Sequence, residues 1–537
     1  MLRYEDIPRQ FNLTSYFVDR HVEEGRGGRT ALIAGERAVT YAELAALANR
    51  AGNVLRDLGV RVEERVLLVL SDGAEFVATW YGALKIGAVT AEAYTFLQPK
   101  DYAYYLDYTR AGVVVVDTTT LPAVREVACG SRWLRHVLVV GAEGSDLRPG
   151  EASFEALIGA APDVLEAAPT TRDDVALWKF TTGSTGAPKA CVHPHHSPLL
   201  SFDWYARGVL DLREDDVVLP VPKLFFGYAR DLTALFPFGV GGAGIVFPER
   251  TTADRIFALI DRHRPTVLVN VPTMMAQMIA HPEAAQHDLR GLRFCTSAGE
   301  ALPAELHRRW LDAFGVEVLD GIGSSEAYHI YISARPGRGR AGTVGEIVPG
   351  YRARILDDDG VEVPDGEPGE LWIEGDTAAL LYFNEHEKTK RTFHGDVVRT
   401  GDLFARDADG YFAYRGRADE LLKVGGIFVA PGEIEDCLLG HPEVVECAVV
   451  GYEEDGLARP RAFVVLRAGA GGSPELVTAL QEHVRARLSP HKYPRDVRFV
   501  AELPRTGSGK IDRRALRALA PEPAPEAPTR PMEARTP

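Results

Sequence analysis

The sequence predicts an α/β protein of more than one domain, a large one followed by a small one, on three observations. Between about residues 66 and 319, short β-branched runs alternate with longer stretches of helix-forming residues, the pattern of strands joined by crossover helices. After Gly342 come closely spaced turn segments, Asp357-Asp358-Asp359-Gly360, Pro364-Asp365-Gly366 and Asp407-Ala408-Asp409-Gly410, which predict a smaller β-rich region. A further change of texture near Gly416 opens a segment that reads as a compact α+β unit.

Taken in order, strands are expected at about 66–70, 113–116, 137–140, 175–178, 267–271, 292–296 and 316–319. Their nearly continuous apolar character is that of parallel strands buried on both faces. In the last unit, 447–451, 461–466 and 497–500 read as strands and 474–488 as an amphipathic helix. The expected domains are therefore 1–416 and 417–520. From Pro521-Glu522-Pro523-Ala524-Pro525 onward the chain offers proline and charge with little to bury, so a disordered tail is expected at 521–537.

Composition narrows the function. The chain has 537 residues, 46% hydrophobic and 25% charged, enough for more than one core. A net charge of −16 with no visible basic patch argues against nucleic-acid and anionic-membrane partners. The opening Met1-Leu2-Arg3-Tyr4-Glu5-Asp6 lacks the pattern of a secretory signal, and the apolar run at 236–247 is too short to span a bilayer. A cytoplasmic location is expected. The five cysteines form no CxxC pair and are odd in number, which predicts reduced, mostly buried thiols.

The chemistry lies in glycine-rich segments. Phe180-Thr181-Thr182-Gly183-Ser184-Thr185-Gly186-Ala187-Pro188-Lys189 follows an expected strand, and its backbone N–H groups, hydroxyls and lysine suit phosphate oxygens. A Walker loop requires GxxxxGK followed by Ser or Thr. Neither Lys189 nor Lys510 satisfies it: in Pro504-Arg505-Thr506-Gly507-Ser508-Gly509-Lys510-Ile511 the first glycine and the final hydroxyl are both missing. Asp320-Gly321-Ile322-Gly323-Ser324-Ser325-Glu326 reads as a turn after a strand, and its carboxylate beside hydroxyls suits a magnesium ion shared with phosphates.

Together with Thr400-Gly401-Asp402 and Gly416-Arg417-Ala418-Asp419-Glu420, in this order and over nearly the whole chain, these segments resemble the adenylate-forming superfamily of acyl-CoA synthetases, carrier-protein adenylation domains and luciferases. The resemblance implies a large N-terminal domain of stacked αβ sheets with a β-rich subdomain, and a small mobile C-terminal domain. It implies ATP, magnesium and coenzyme A as cofactors. Thr181, Thr182, Gly183, Ser184, Thr185, Gly186 and Lys189 would hold the β- and γ-phosphates, Thr185 with a catalytic part. Asp320, Gly321 and Ile322 would line the adenine on one side and Gly299, Glu300 and Ala301 on the other. Ser325 would bind the α-phosphate, Glu326 the magnesium, and Asp402 the ribose, with Arg417 in support. Lys510 corresponds to the catalytic lysine that bridges the substrate carboxylate and the α-phosphate, where a fixed cation stabilises developing charge. Asp419 matches the interdomain hinge, Gly425 and Gly426 the pantetheine tunnel, and Lys423 a nucleotide contact. Ala190 departs from the usual glycine without removing a functional group. His193, His195 and His196 fall where the family often carries histidine without metal.

The segments Lys223-Leu224-Phe225-Phe226-Gly227-Tyr228, Gly321 to Ile330 and Gln98-Pro99-Lys100-Asp101-Tyr102-Ala103-Tyr104-Tyr105-Leu106 resemble the benzoate-CoA ligase subgroup. This implies a single-ring aromatic acid in a slot made by Phe226, Gly227, Tyr228, Ala298, Gly321, Ile322 and Gly323, although Phe225 and Phe226 read equally well as core aromatics. Gly227 replaces the subgroup's usual alanine and Ala327-Tyr328 a Met-Leu pair. A wider or more polar pocket follows, with the Tyr328 hydroxyl and the His329 imidazole receiving a ring substituent. A hydroxybenzoate or an aminobenzoate such as anthranilate is then as plausible as benzoate. Two alternatives stand beside a CoA ligase: a stand-alone adenylation enzyme that loads an acyl carrier protein, and a noncatalytic ligand-binding protein. Retention of Glu326, Asp402, Arg417 and Lys510 argues against the second. A downstream enzyme that consumes the acyl-CoA is a further expected partner.

Overall fold

The computed structural model describes residues 1–181, 187–418, 422–424, 427–454, 457–467, 469–489, 491–505 and 511–519. The chain divides into two compact units, Met1–Asp419 and Glu420–Pro537. The expected tail at 521–537 lies outside the described residues.

Two large sheets dominate the first unit. One has eight strands, in the order Leu381–Tyr382, Lys189–Pro194, Val175–Thr181, Val89–Glu92, Arg65–Val69, Val113–Asp117, His136–Val140 and Glu151–Ser153. The other has nine, in the order Glu346–Ile347, Ile330–Ser333, Val318–Gly323, Phe294–Ser297, Val267–Asn270, Val217–Pro220, Ala243–Val246, Thr30–Ala34 and Arg37–Thr40. Both have parallel centres, as their apolar strands require; the nine-stranded sheet turns antiparallel at both ends and the eight-stranded sheet at one, where Lys189–Pro194 and Leu381–Tyr382 lie. Antiparallel pairing at the edges is invisible to a strand-by-strand reading, because it depends on which neighbour the fold supplies.

Local signals explain how the elements begin. The strand Arg37–Thr40 passes into the helix Tyr41–Asp57 at Thr40, whose hydroxyl accepts from Glu43 N while the Glu43 carboxylate accepts from Thr40 N, a capping box. This helix crosses the helix Ala74–Lys85 at two glycines: a Cβ on Gly82 would stand 2.7 Å from both Ala48 O and Gly52 N, so only glycine lets the backbones meet.

The expected β-rich region is a five-stranded sheet in which Val397–Arg406 pairs with Gly369–Glu374, Phe393–His394 and Phe412–Arg417, and Arg352–Leu356 forms an edge. Its turns repeat one device. Asp357 Oδ1 accepts from the N–H groups of Asp359 and Val361, and Asp407 Oδ1 from those of Asp409 and Tyr411, folding each Asp-x-x-Gly segment on itself.

The strands expected in the parallel cores are present within one to three residues, the largest difference being Val175–Thr181, which runs three residues past the expected 178, and with one correction. The stretch read as a glycine-rich turn after 316–319 is itself strand, Val318–Gly323, paired antiparallel with Ile330–Ser333. The glycines are there for close approach rather than for turning: a Cβ on Gly323 would meet His329 O at 2.3 Å.

In the second unit, Val444–Glu454, Leu457–Leu466 and Asp496–Phe499 form a sheet, and Leu422–Val424 pairs with Ile427–Val429. The helix Pro474–Arg485 starts at Ser473, whose hydroxyl accepts from Leu476 N, and buries Leu480 and Val484. It ends three residues before the expected 488. All five cysteines are free thiols, with Cys191, Cys295 and Cys447 buried. Among the described residues no helix is long and apolar enough to cross a membrane.

Candidate active site

The hairpin formed by Val175–Thr181 and Lys189–Pro194 brackets the segment expected to hold phosphate, and Thr181 pairs with Lys189 across it. Thr182, Gly183, Ser184, Thr185 and Gly186 lie outside the described residues, as do Asp419, Gly425, Gly426 and Lys510. Lys423 is on the short strand Leu422–Val424.

Residues 324–326 are stitched to this hairpin. Ser325 Oγ donates to Phe180 O at 3.3 Å, and His193 Nε2 lies 2.7 Å from Ser325 O. Burial takes the His193 imidazole down to about 3, so it is neutral and Nε2 is the donor. From the facing edge strand Leu381–Tyr382, the Tyr382 hydroxyl donates to Glu326 Oε1 at 2.6 Å, and its ring centre lies 4.4 Å from Lys189 Nζ. Burial, reinforced by Glu326, pushes the Tyr382 phenol well above its ordinary range and keeps it protonated. One tyrosine, which sequence reasoning missed, thus touches both the expected metal ligand and the expected phosphate lysine.

Among the described residues no group of three or more His, Cys, Asp and Glu side chains could hold a metal ion. The oxygen-rich surroundings of Glu326 fit magnesium, which takes few protein ligands and keeps phosphate and water oxygens for the rest. The three neighbouring histidines turn to separate partners: His193 to Ser325 O, His195 to Leu13 N and His196 to Arg172 O.

Of the residues expected at the nucleotide, Asp402 pairs with Arg417 in register across two strands, Nη1 standing 3.1 Å from Oδ1, and the same Nη1 donates to Thr400 O at 3.1 Å. Asp320 is buried, and burial lifts its carboxyl to about 8. Gly299 has φ +89, the left-handed turn that glycine permits, while the Glu300 carboxylate accepts from Thr273 N and Oγ1 at 3.1 and 2.7 Å. Ala301 is exposed beside it.

The ring-pocket residues gather, but not all as expected. Tyr228, in the first turn of the helix Gly227–Ala234, bonds Thr296 Oγ1 at 2.7 Å, and Ala298 is buried one residue past the strand Phe294–Ser297. Phe226 caps that helix and packs at a tilt against Tyr94 and Phe225, an ordinary aromatic cluster. Gly227 does not widen the slot. A Cβ there would stand 2.8 Å from Lys179 Cε, so the vacated space is already filled by lysine. Tyr328 is buried, its ring centre 3.6 Å from Lys179 Nζ, with its phenol beside Asp231 and Arg230.

This pair belongs to a buried ionic cluster the sequence reading did not foresee. Lys179 Nζ bonds Asp231 Oδ2 at 2.5 Å, and Arg230 bonds Asp231 Oδ1 and pairs with Glu92, which also accepts from Trp80 Nε1. Burial lowers Lys179 to about 8 against the pull of Asp231. The available signal was a lone charge in the apolar strand Val-Ala-Leu-Trp-Lys-Phe-Thr, since a buried lysine needs a partner.

His329 lies beside Tyr228. Its Nε2 lies 3.3 Å from Tyr228 O, and burial brings the imidazole to about 3, so it is neutral. A carbonyl only accepts, so the proton sits on Nε2 and Nδ1 is a bare acceptor, buried and with no hydrogen-bond partner among the described residues.

The chain is similar to known proteins over nearly its whole length. Residues 18–383 match the AMP-binding enzyme family and 433–510 the AMP-binding enzyme C-terminal domain. Benzoate–CoA ligase of Thauera aromatica is 43% identical over 515 residues, covering 95% of this chain and 97% of that protein. The 4-hydroxybenzoate–CoA/benzoate–CoA ligase of Rhodopseudomonas palustris is 40% identical, covering 95% and 94%. Among solved structures, the anthranilate CoA ligase AuaEII in complex with anthranoyl-AMP superimposes with a TM-score of 0.92 at 38% identity, covering 96% of this chain and 98% of that one. The sheets, the stitched loop and strand segments and these relatives lead to one conclusion: the chain belongs to the AMP-binding enzyme family of adenylate-forming ligases, as a benzoate–CoA ligase-like, AMP-forming acid–thiol ligase.

Proposed function

We propose that this enzyme activates a single-ring aromatic carboxylic acid carrying a hydroxyl or amino group, such as an aminobenzoate or hydroxybenzoate. The acid and ATP give the aryl-adenylate and pyrophosphate; the thiol of CoA then displaces AMP to give the aryl-CoA. ATP, magnesium and CoA are the cofactors of this ligase class. The observation that carries the choice of acid is His329 Nδ1, a buried acceptor without a donor beside Tyr228. Leaving such an atom unpaired is costly, and an O–H or N–H on the ring would satisfy it. The relatives' names, which include benzoate, hydroxybenzoate and anthranilate, support the same class.

In this reading Lys189, with Thr181 to Gly186, holds the β- and γ-phosphates, and Ser325 the α-phosphate. Asp320, Gly321, Ile322 and the Gly299 turn receive the adenine. Asp402 accepts from the ribose hydroxyls, with Arg417 fixing its carboxylate. Glu326, oriented by Tyr382, would hold magnesium, which neutralises phosphate charge when bound. Lys510 supplies the cation that draws carboxylate and α-phosphate together, Asp419 is the hinge between the half-reactions, and Gly425 and Gly426 admit the pantetheine arm.

Incubation with ATP, magnesium, CoA and a panel of benzoate, aminobenzoates and hydroxybenzoates, followed by mass spectrometry, tests the proposal. Aryl-CoA and AMP should form, faster from a substituted acid than from benzoate. Replacing His329 by Phe should erase that preference. Absence of aryl-CoA from every acid overturns the reading, and a preference for benzoate overturns the role of His329.

A further inference from the structure

Lys179 stands mid-strand in an apolar sheet and has no part in the chemistry above. Its ammonium bonds Asp231 Oδ2 at 2.5 Å and Tyr328 O at 2.6 Å, and lies 3.6 Å from the centre of the Tyr328 ring. Its stem closes on Gly227, where an added Cβ would fall 2.8 Å from Cε, 2.9 Å from Nζ and 3.1 Å from Cδ. The lysine cannot easily step aside, because Asp231 and the Tyr328 carbonyl fix its far end and the residue is buried. Tyr328 has φ +72, a left-handed backbone that bulky residues adopt only when their surroundings enforce it, and Lys179 grips both its carbonyl and its ring. One side chain therefore touches the two segments, Gly227-Tyr228 and Tyr328-His329, that border the ring.

We infer that Lys179 is a specificity-determining positioning residue: it shapes the aromatic-acid pocket from behind, by occupying the space under Gly227 and by holding the left-handed turn at Tyr328 that presents His329. The inference rests on the pocket assignment made under Proposed function. It places the control of substrate choice on a residue that never touches the substrate, in a pair with Gly227 in which lysine and a methyl group compete for one volume.

The test is a double-mutant cycle. Removing Lys179 alone would leave Asp231 with one partner fewer in the interior, so the background is Lys179→Ala with Asp231→Asn, which deletes one charge of each sign and empties the volume under Gly227. Gly227→Ala is made in the wild type and in that background, and melting temperature, KM for ATP, and kcat/KM over the benzoate panel are measured. In the wild type, Gly227→Ala should lower Tm and raise KM for the aromatic acid about ten-fold, with KM for ATP unmoved. In the background it should leave Tm nearly unchanged, and the ranking of ring-substituted acids should differ from wild type. Equal losses in both backgrounds, or all acids scaled by one factor, would overturn the inference. Should the background fail to fold, Lys179→Arg keeps the charge but not the fit, and an unchanged ranking with that variant overturns it as well. Failure of the wild-type enzyme on every acid would instead sink the activity reading, so the two failures are told apart.

Discussion

Tyr382 donates its hydroxyl to Glu326 Oε1 at 2.6 Å while its ring lies 4.4 Å from Lys189 Nζ, so one residue of an edge strand sets the distance between two motifs far apart in the chain. Replacing Tyr382 by Phe keeps the ring and deletes the bond. Partners that orient a metal-binding carboxylate are commonly worth about ten-fold or more. Tyr382→Phe should therefore raise several-fold the magnesium concentration for half-maximal ATP–pyrophosphate exchange. An unchanged magnesium titration would leave Tyr382 a packing residue only.

Lys510→Ala should separate the half-reactions. Loss of a preorganised cation costs on the order of a hundred-fold or more in the step it serves. Adenylation should collapse, whereas CoA thioester formation from a supplied aryl-adenylate should change little. Equal losses in both steps would assign Lys510 a different role.

Asp419→Pro should act in the opposite sense. Proline fixes φ and would block rotation at the proposed hinge. Pyrophosphate exchange should persist while aryl-CoA synthesis falls; full steady-state synthesis would place the hinge elsewhere.

Asp320 predicts a pH dependence of stability. Burial raises its carboxyl from 3.8 to about 8, so the native state holds this proton more tightly than the unfolded chain. Its contribution is complete below the unfolded pKa and declines as pH rises through the window toward 8, by on the order of 2 kcal/mol or more. Asp72, which burial lifts to about 6, acts in the same direction over a lower range. Asp320→Asn should thus shrink the fall in Tm between pH 5 and pH 8; an identical fall in wild type and variant would mean that the carboxyl is not buried in solution.

Gly82→Ala tests the crossing of the helices Tyr41–Asp57 and Ala74–Lys85. The new methyl would press on Ala48 O and Gly52 N, both backbone, so neither can rotate away. Destabilisation of about 1–3 kcal/mol is expected in urea unfolding, against the small gain that alanine brings to an unconstrained helix.

Much of the architecture was legible in the chain because its signals are local. β-branched runs mark buried parallel strands, Asp357 and Asp407 write their own turns with Gly360 and Gly410, and five ordered motifs identify the family. Within the candidate site the motif positions were legible, and the fold joins them in pairs: His193 meets Ser325, Lys189 and Glu326 both meet Tyr382, and Arg417 meets Asp402. What only the tertiary structure decided were the partners. Lys179 meets Asp231 from 52 residues away and Tyr328 from 149, and Tyr382 meets Glu326 from 56. A glycine at 227 reads in sequence as empty space, yet the fold delivers a lysine to fill it, and a tyrosine at 328 reads as a pocket hydroxyl, yet its carbonyl and ring lie against that same lysine. Periodicity and spacing report what a residue does to its own backbone and its near neighbours. Whether a charge can be buried depends on which opposite charge the fold brings within reach, and that is a property of the folded chain.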